Sequence, residues 1–358
     1  MQPDTLQAEY DLDVIQPPDA VEEPIPTAAE VEADAVRESE TDGVRDVPCD
    51  RCGGEQFFTM FEKESSRAEI YQVVSCVNCD LVQVNPQPDV ATVAPYYTSE
   101  YFTKRTDRGY DNYFSETLKA QIQKVYEQNL NDLGFFDYEE HLRSGSWLLQ
   151  HLQRHSTETK RAPVGSEEDH RPRSLDVGCA AGYFVQYLEE RGWNAQGVEL
   201  SRDAARYGVR ELGLNIIIGD FLTCRKLNPA SYDLISLWAS IEHMHSPRRV
   251  LERSFELLKP GGRMILSTCR YGILAKLRGP AWRFMNVPEH LYFFSLPGLI
   301  DLAAEIGFTA EAHVTYGSGL TGRANAGIWY RAAKRVADPF VKRFGMGDMM
   351  ALQLSKPV

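Results

Sequence analysis

Apolar positions recur at helical spacing in two stretches before the middle of the chain. Leu118, Ile122, Val125 and Leu130 predict a helix over 112–133, and Leu142, Leu148, Leu149 and Leu152 a second over 136–154. The following stretch, 155–173, is polar and holds Pro163, Gly165 and Pro172, so it reads as a surface insertion. From residue 174 the pattern changes to short apolar runs separated by amphipathic segments. Strands are expected from 174 to Asp176, at 195–200, 215–221, 232–238, 263–269 and 309–316, and finally at 348–355. Helices are expected to open at Tyr183 and to run over 247–259, 296–307 and 323–343. The third of these starts at Ser295 with Pro297 in its first turn and stops at Gly307. The last carries Arg331, Lys334, Arg335, Lys342 and Arg343, which read as a solvated face. Strand and helix in alternation imply a parallel sheet with right-handed crossovers.

The segment Ser174-Leu-Asp-Val-Gly-Cys-Ala-Ala-Gly-Tyr-Phe184 joins the first such strand to its helix through small residues. A turn of that kind lets main-chain N–H groups approach a ligand at a helix N-terminus. A dinucleotide fingerprint needs G-x-G-x-x-G. Here the small residues fall at 178, 180 and 182, and Tyr183 takes the place of the third glycine. Asp176 would repel a pyrophosphate but suits a ligand bearing an ammonium and a sulfonium. Glu199, 21 residues past Gly178, can accept both hydroxyls of a ribose. The combination describes a nucleoside site without phosphates.

Six motifs in order strengthen that reading: Leu-Asp-Val-Gly-Cys-Ala-Ala-Gly (175–182), Gly-Val-Glu-Leu-Ser (197–201), Gly-Asp-Phe (219–221), Tyr-Asp-Leu-Ile (232–235), Ile-Glu-His-Met (241–244) and Leu-Leu-Lys-Pro-Gly-Gly (257–262). With them, 174–268 resembles the core of a class I S-adenosylmethionine-dependent methyltransferase. The resemblance implies a Rossmann-like seven-stranded α/β sheet with helices on both faces, its last strand inserted antiparallel beside the sixth. It implies S-adenosylmethionine as donor, with Asp176, Gly178 and Gly182 shaping the methionine end and Glu199 holding the ribose. Asp220 would accept from the adenine amino group while Phe221 packs on the ring; the alternative for Asp220 is a cap or turn residue. Ala180 departs from the family, which usually has glycine there.

Charge divides the chain unevenly. The net charge is −13 over 358 residues, yet 1–47 holds 14 acids and two arginines. With few aromatics and several prolines, that acidic tail is expected to be disordered. There is no run of 18 apolar residues and no basic segment leading into an apolar core, so neither a membrane span nor a secretory signal is expected, and the chain reads as cytoplasmic.

Cys49-Asp-Arg-Cys52 and Cys76-Val-Asn-Cys79 form two knuckles whose spacing matches a four-thiolate structural zinc site. The residues between, 56–74, are expected to form a hairpin that brings them together. Two disulfides are the alternative, disfavoured where thiols stay reduced. The continuation Leu-Val-Gln-Val-Asn-Pro-Gln-Pro (81–88) and the tyrosine-rich 96–102 resemble the amino-terminal module of bacterial small-molecule and glycan methyltransferases. The organisation expected is therefore a tail (1–47), a zinc ribbon with tyrosine-rich connector (48–110), a helical lead-in with polar insertion (111–172) and a methyltransferase domain (173–358).

Methyl transfer to a hydroxyl needs alignment and a base. His243, just past the fourth strand, and His290, within an aromatic insertion, are the candidates. Their alternatives are loop bracing for His243 and packing for His290. Glu242-His243 resembles the acid–histidine pair of ubiquinone-pathway O-methyltransferases, some of which bind a divalent ion. Those carry another glutamate three residues earlier, where Ala239 stands here, which argues against a catalytic metal. Tyr271, Trp282, Phe284, Tyr292, Phe293 and Phe294 would either stack on an acceptor or form a cap core. The module resemblance points to a small-molecule acceptor, a sugar or glycan. An RNA methyltransferase is the competing function, but 48–110 has nine acids against six bases, a poor footprint for phosphates. A non-catalytic cofactor-binding scaffold is the third reading.

Overall fold

The computed structural model describes residues 43–97, 99–103, 112–156, 170–318 and 327–358. The acidic tail, apart from 43–47, and most of the polar insertion lie outside the described residues. In chain order the elements are β1 (Val44–Arg45), β2 (Phe57–Glu64), β3 (Ile70–Cys76), β4 (Val82–Val84), β5 (Gln87–Pro88), α1 (Val90–Val93), α2 (Ser99–Thr103), α3 (Glu116–Asp132) and α4 (Phe135–Ser156). There follow β6 (Arg173–Val177), α5 (Tyr183–Glu190), β7 (Asn194–Glu199), α6 (Arg202–Leu212), β8 (Ile216–Ile218), β9 (Tyr232–Trp238), α7 (Pro247–Leu257) and β10 (Leu258–Cys269). The last are α8 (Ile273–Arg278), β11 (Tyr292–Phe293), α9 (Leu296–Ile306), β12 (Thr309–Tyr316), α10 (Ile328–Arg343) and β13 (Met349–Ser355).

The main sheet has seven strands in the order β12-β13-β10-β9-β6-β7-β8. The pairs among β8, β7, β6, β9 and β10 are parallel, and β13 runs antiparallel between β10 and β12. This is the methyltransferase sheet that the sequence predicts. Its central strands are buried on both faces, as strands sandwiched between helix layers must be. One face packs Val250, Leu251 and Leu257 of α7 and Leu299 and Leu302 of α9. The other packs Tyr126 and Leu130 of α3 with Phe184, Val185 and Leu188 of α5. Ser295 caps α9 by accepting from the Gly298 N–H, and Gly307 ends it in the left-handed region.

Two elements differ from expectation. The helix expected over 247–259 stops at Leu257, because buried Leu258 already pairs with Tyr232 as the first residue of β10. The register then shifts through Lys259-Pro-Gly-Gly, with Gly261 at φ 77°, before pairing resumes at Arg263↔Leu234. The strand expected over 215–221 is only Ile216–Ile218, since Asp220 begins a turn by accepting from the Thr223 N–H.

The ribbon is not closed by its own residues. Its four-stranded sheet runs β11-β4-β3-β2, and β11 comes from the insertion after β10. Tyr292 and Phe293 pair antiparallel with Gln83 and Val82, and the Val84 N–H donates to the Leu291 carbonyl at 2.9 Å. Polar contacts add to this sheet. Arg51 reaches Glu305 on α9 at 2.9 Å, and Asp50 accepts from the Arg248 N–H of α7 at 2.6 Å.

Candidate functional site

The donor loop forms at the C-terminal end of β6, where the chain must turn sharply into α5. Gly178, Ala180 and Gly182 all have positive φ, at 70°, 49° and 78°. A Cβ on Gly178 would lie 2.8 Å from that of Ser240, so Gly178 needs glycine for space as well as conformation, while Gly182 needs it for its positive φ. Ala180 adopts the same left-handed conformation despite its methyl group, a strained choice for an L-residue. Glu199 spans this loop: its Oε2 accepts from the Ala180 N–H and its Oε1 from the Ser201 N–H, both at 2.7 Å. Burial raises the Glu199 carboxyl above its ordinary range.

Asp176 is buried beside it and accepts from Ser236 Oγ at 2.6 Å. Burial, aided by the charge of Glu199, pushes Asp176 up to about 7. A buried and a half-buried carboxylate at the ends of the adjacent strands β6 and β7 form a site that a cationic ligand would stabilise. Asp220 is exposed and follows Gly219, whose N–H donates to the Glu199 carbonyl. Phe221 is buried in the core with the Arg253 guanidinium over its ring, rather than presenting an open face.

The tyrosine-rich segment packs on the donor loop. Tyr101 and Phe102 cluster with Ala204, with Tyr97, Tyr113, Phe114 and Ala180 against them. Tyr113 stacks on Tyr183 at 5.4 Å, and the Tyr183 hydroxyl donates to the Tyr113 carbonyl. Tyr97 reaches further, placing its hydroxyl 2.8 Å from His243 Nδ1. That contact lies 146 residues apart in sequence and has no local signal.

His243 ends the 3-10 turn Ile241–His243 that follows β9, and His290 precedes β11. The structure brings them together, with ring centroids 4.6 Å apart. His243 Nδ1 lies 2.7 Å from the Glu289 carbonyl oxygen, and His290 Nδ1 lies 2.8 Å from that of Phe284. A carbonyl only accepts, so these contacts fit rings protonated on Nδ1, the tautomer whose lone pair is on Nε2. Ligand atoms of Glu242, His243 and His290 lie within 4.8 Å of one another, a spacing that could hold a metal ion. Tyr271, Trp282 and Phe293 are buried in a separate cluster with Phe284 against it, whereas Tyr292 and Phe294 join the main core.

The four ribbon cysteines also converge, their sulfurs all within 4.8 Å of one another. Cys49 and Cys79 are 3.4 Å apart, and Cys52 and Cys76 are 3.5 Å apart. Both knuckles turn alike: the Gly53 N–H donates to the Cys49 carbonyl and the Asp80 N–H to the Cys76 carbonyl, with Gly53 and Asp80 both at positive φ. Burial pushes the Cys79 thiol up to about 11 and raises Cys49 further.

Residues 148–313 match the family model described as a methyltransferase domain. A ubiquinone biosynthesis O-methyltransferase from Idiomarina loihiensis is 31% identical over 110 residues, covering 29% of this chain and 45% of that protein. One from Shewanella pealeana is 28% identical over 156 residues, covering 40% of this chain and 66% of its own length. The chain thus spans about half the length of the curated relatives it matches first. Among solved structures, a possible histamine N-methyltransferase from Thermotoga maritima aligns at 18% identity and TM-score 0.39, covering 63% of this chain and 97% of that one. The putative methyltransferase in a complex with the Haloferax volcanii Trm112 activator aligns at 15% identity and TM-score 0.42, covering 64% and 94%. With its seven-stranded sheet, the chain carries a class I S-adenosylmethionine-dependent methyltransferase domain.

Proposed function

We propose that this chain transfers a methyl group from S-adenosylmethionine to a hydroxyl of a small molecule, a sugar or glycan being the acceptor class named by its amino-terminal module. The observation that carries this reading is the pair of carboxylates, buried Asp176 and half-buried Glu199, beside a loop whose three small residues are all left-handed. Asp176 faces the cationic methionine end, Glu199 the ribose, and Asp220 the adenine edge. The acceptor oxygen attacks the methyl carbon as the sulfur–carbon bond breaks. The sulfonium becomes a thioether, and the hydroxyl proton passes to Nε2 of His243 or His290.

In the ribbon, Cys49, Cys52, Cys76 and Cys79 would hold one Zn²⁺. Four sulfurs already within 4.8 Å suit a tetrahedral thiolate site, and a cation would offset the burial that raises the Cys49 and Cys79 thiols. All four ligands come from protein, so the ion would serve folding rather than chemistry.

A second reading rests on the Glu242, His243 and His290 group. Instead of a base, these side chains would hold a divalent cation that orients the acceptor. Donor turnover against sugars, nucleotide sugars, quinols and RNA, with and without added Mg²⁺ or Zn²⁺, separates the readings. Metal-independent release of S-adenosylhomocysteine with a small acceptor is expected. Turnover on RNA alone would overturn the acceptor class, and strict metal dependence would favour the second reading.

A further inference from the structure

The basic helix expected to present a solvated polar face does expose Arg335 and Arg343, but it exposes large apolar side chains as well. In α10 Lys334 bridges Asp338 one turn further along the same helix at 2.8 Å, Lys342 bridges Asp132 of α3, and Val341 is buried. The outward side carries Trp329, Val336, Phe340 and Phe344, at spacings of seven, four and four residues, which places them on one face. Their exposure runs from 54% for Phe340 to 86% for Trp329. Phe340 and Phe344 pack against each other in a tilted pair with ring centroids 4.5 Å apart, and Arg335 and Arg343 of the same segment are exposed.

A second element repeats the chemistry. Helix α8 exposes Ile273 and Leu277 beside Lys276 and Arg278. The two helices flank one place, because Arg283, Arg278 and Lys334 all act on the Asp348 carboxyl at the start of β13. That strand pairs with the end of β10, where Cys269 meets His290. Exposed large apolar side chains, rimmed by arginine and lysine, thus stand near the acceptor end of the sheet.

Such a surface needs an occupant. A second copy meeting it about a twofold axis would bring the same arginines face to face. A bilayer with anionic headgroups matches both parts, accepting aromatic and aliphatic side chains at its acyl boundary and pairing the cations with phosphates. We propose that this chain docks on an anionic lipid surface through α10 and α8, with Trp329, Val336, Phe340, Phe344 and Leu277 entering the boundary region and Arg335, Arg343, Lys276 and Arg278 on the phosphates. This goes beyond methyl transfer and does not depend on it. It adds that an amphiphilic acceptor could be reached from the membrane.

The test is vesicle flotation of the full chain, using phosphatidylcholine alone or mixed with phosphatidylglycerol. Binding is expected only to the mixed vesicles and is expected to fade at about 1 M salt, where screening is within about 3 Å. Arg335→Gln with Arg343→Gln should lower partition about 25-fold, roughly fivefold per cation. Phe340→Ser with Phe344→Ser should abolish binding, with melting temperature and donor affinity unchanged because both rings are exposed. No binding to mixed vesicles, or equal binding to both kinds, would overturn the proposal. So would a dimer in solution that the double Phe variant splits, which would make the face a self-interface.

Discussion

His243 and His290 stand edge to face at 88°, and each ring is pinned through Nδ1 to a main-chain carbonyl. The two residues come from different segments, one from the turn after β9 and the other from the insertion before β11. The Leu291 N–H donates to the Glu242 carbonyl at 2.8 Å and ties these segments together.

Removing the base should affect rate rather than donor binding. Either His243→Ala or His290→Ala is expected to retain donor affinity and lose turnover by at least about 10²-fold. His290 is the more buried, so its variant should also melt earlier. Single-turnover kinetics on the identified acceptor checks this; rates within a few-fold of wild type in both variants would exclude the two histidines and leave Tyr97 as the candidate.

Asp176 should make donor binding and stability respond to pH in opposite senses. Its folded-state value of about 7 lies above the ordinary 3.8, so the empty protein holds a proton that the unfolded chain has released. Stability of the empty protein therefore falls as pH rises through that window. A sulfonium ligand prefers the carboxylate, so donor affinity should climb over the same range. Asp176→Asn is expected to raise the melting temperature above neutral pH and to weaken the donor about tenfold or more, a charge-assisted bond being worth about 1.5–3 kcal/mol. Calorimetry across pH 5 to pH 8, spanning about two units below and one above the folded value, would expose a flat profile if the assignment is wrong.

Glu199 has a structural duty as well as a ligand one. Glu199→Ala leaves the Ala180 and Ser201 N–H groups without their acceptor, so both donor affinity and loop order should suffer. Glu199→Gln can still accept from at least one N–H but has lost the charge. It should recover stability yet bind donor more weakly than wild type, by about 1.5–3 kcal/mol at most. Undiminished binding in both variants would refute the ribose role.

Metal removal should act on the ribbon first. Anaerobically purified protein is expected to contain one zinc per chain, and Cys52→Ser with Cys79→Ser should lose it. Chelation should then release the Arg51 and Arg248 contacts to Glu305, seen as increased hydrogen exchange at the start of α7 and along α9. A protein that is metal-free as purified and melts identically with chelator would dismiss the ion.

Much of the main sheet could be read from the chain because its signals are local. Parallel strands buried on both faces leave continuous apolar runs, and Ser295 and Gly307 mark the ends of α9 directly. The knuckle spacing announced the cysteine cluster in the same way. What escaped depends on partners far along the chain. Tyr292 and Phe293 read as part of an aromatic insertion, while their role as a ribbon strand is set by Gln83 and Val82 more than 200 residues earlier. The outward apolar face of α10 escaped for another reason: five basic residues suggested solvent, and only the bridge to Asp132 of α3 turns Lys342 inward.

The borrowed strand also imposes a timetable. During synthesis β2, β3 and β4 leave the ribosome well before β11, the edge partner of Gln83 and Val82. At roughly 5–20 residues per second, β4 has an open edge for about 10–40 s. An unpaired β-edge is an invitation to pair with a neighbouring chain. Yield from a cell should therefore depend on translation speed between codons 84 and 293, and on whatever chaperone guards that edge in the interval.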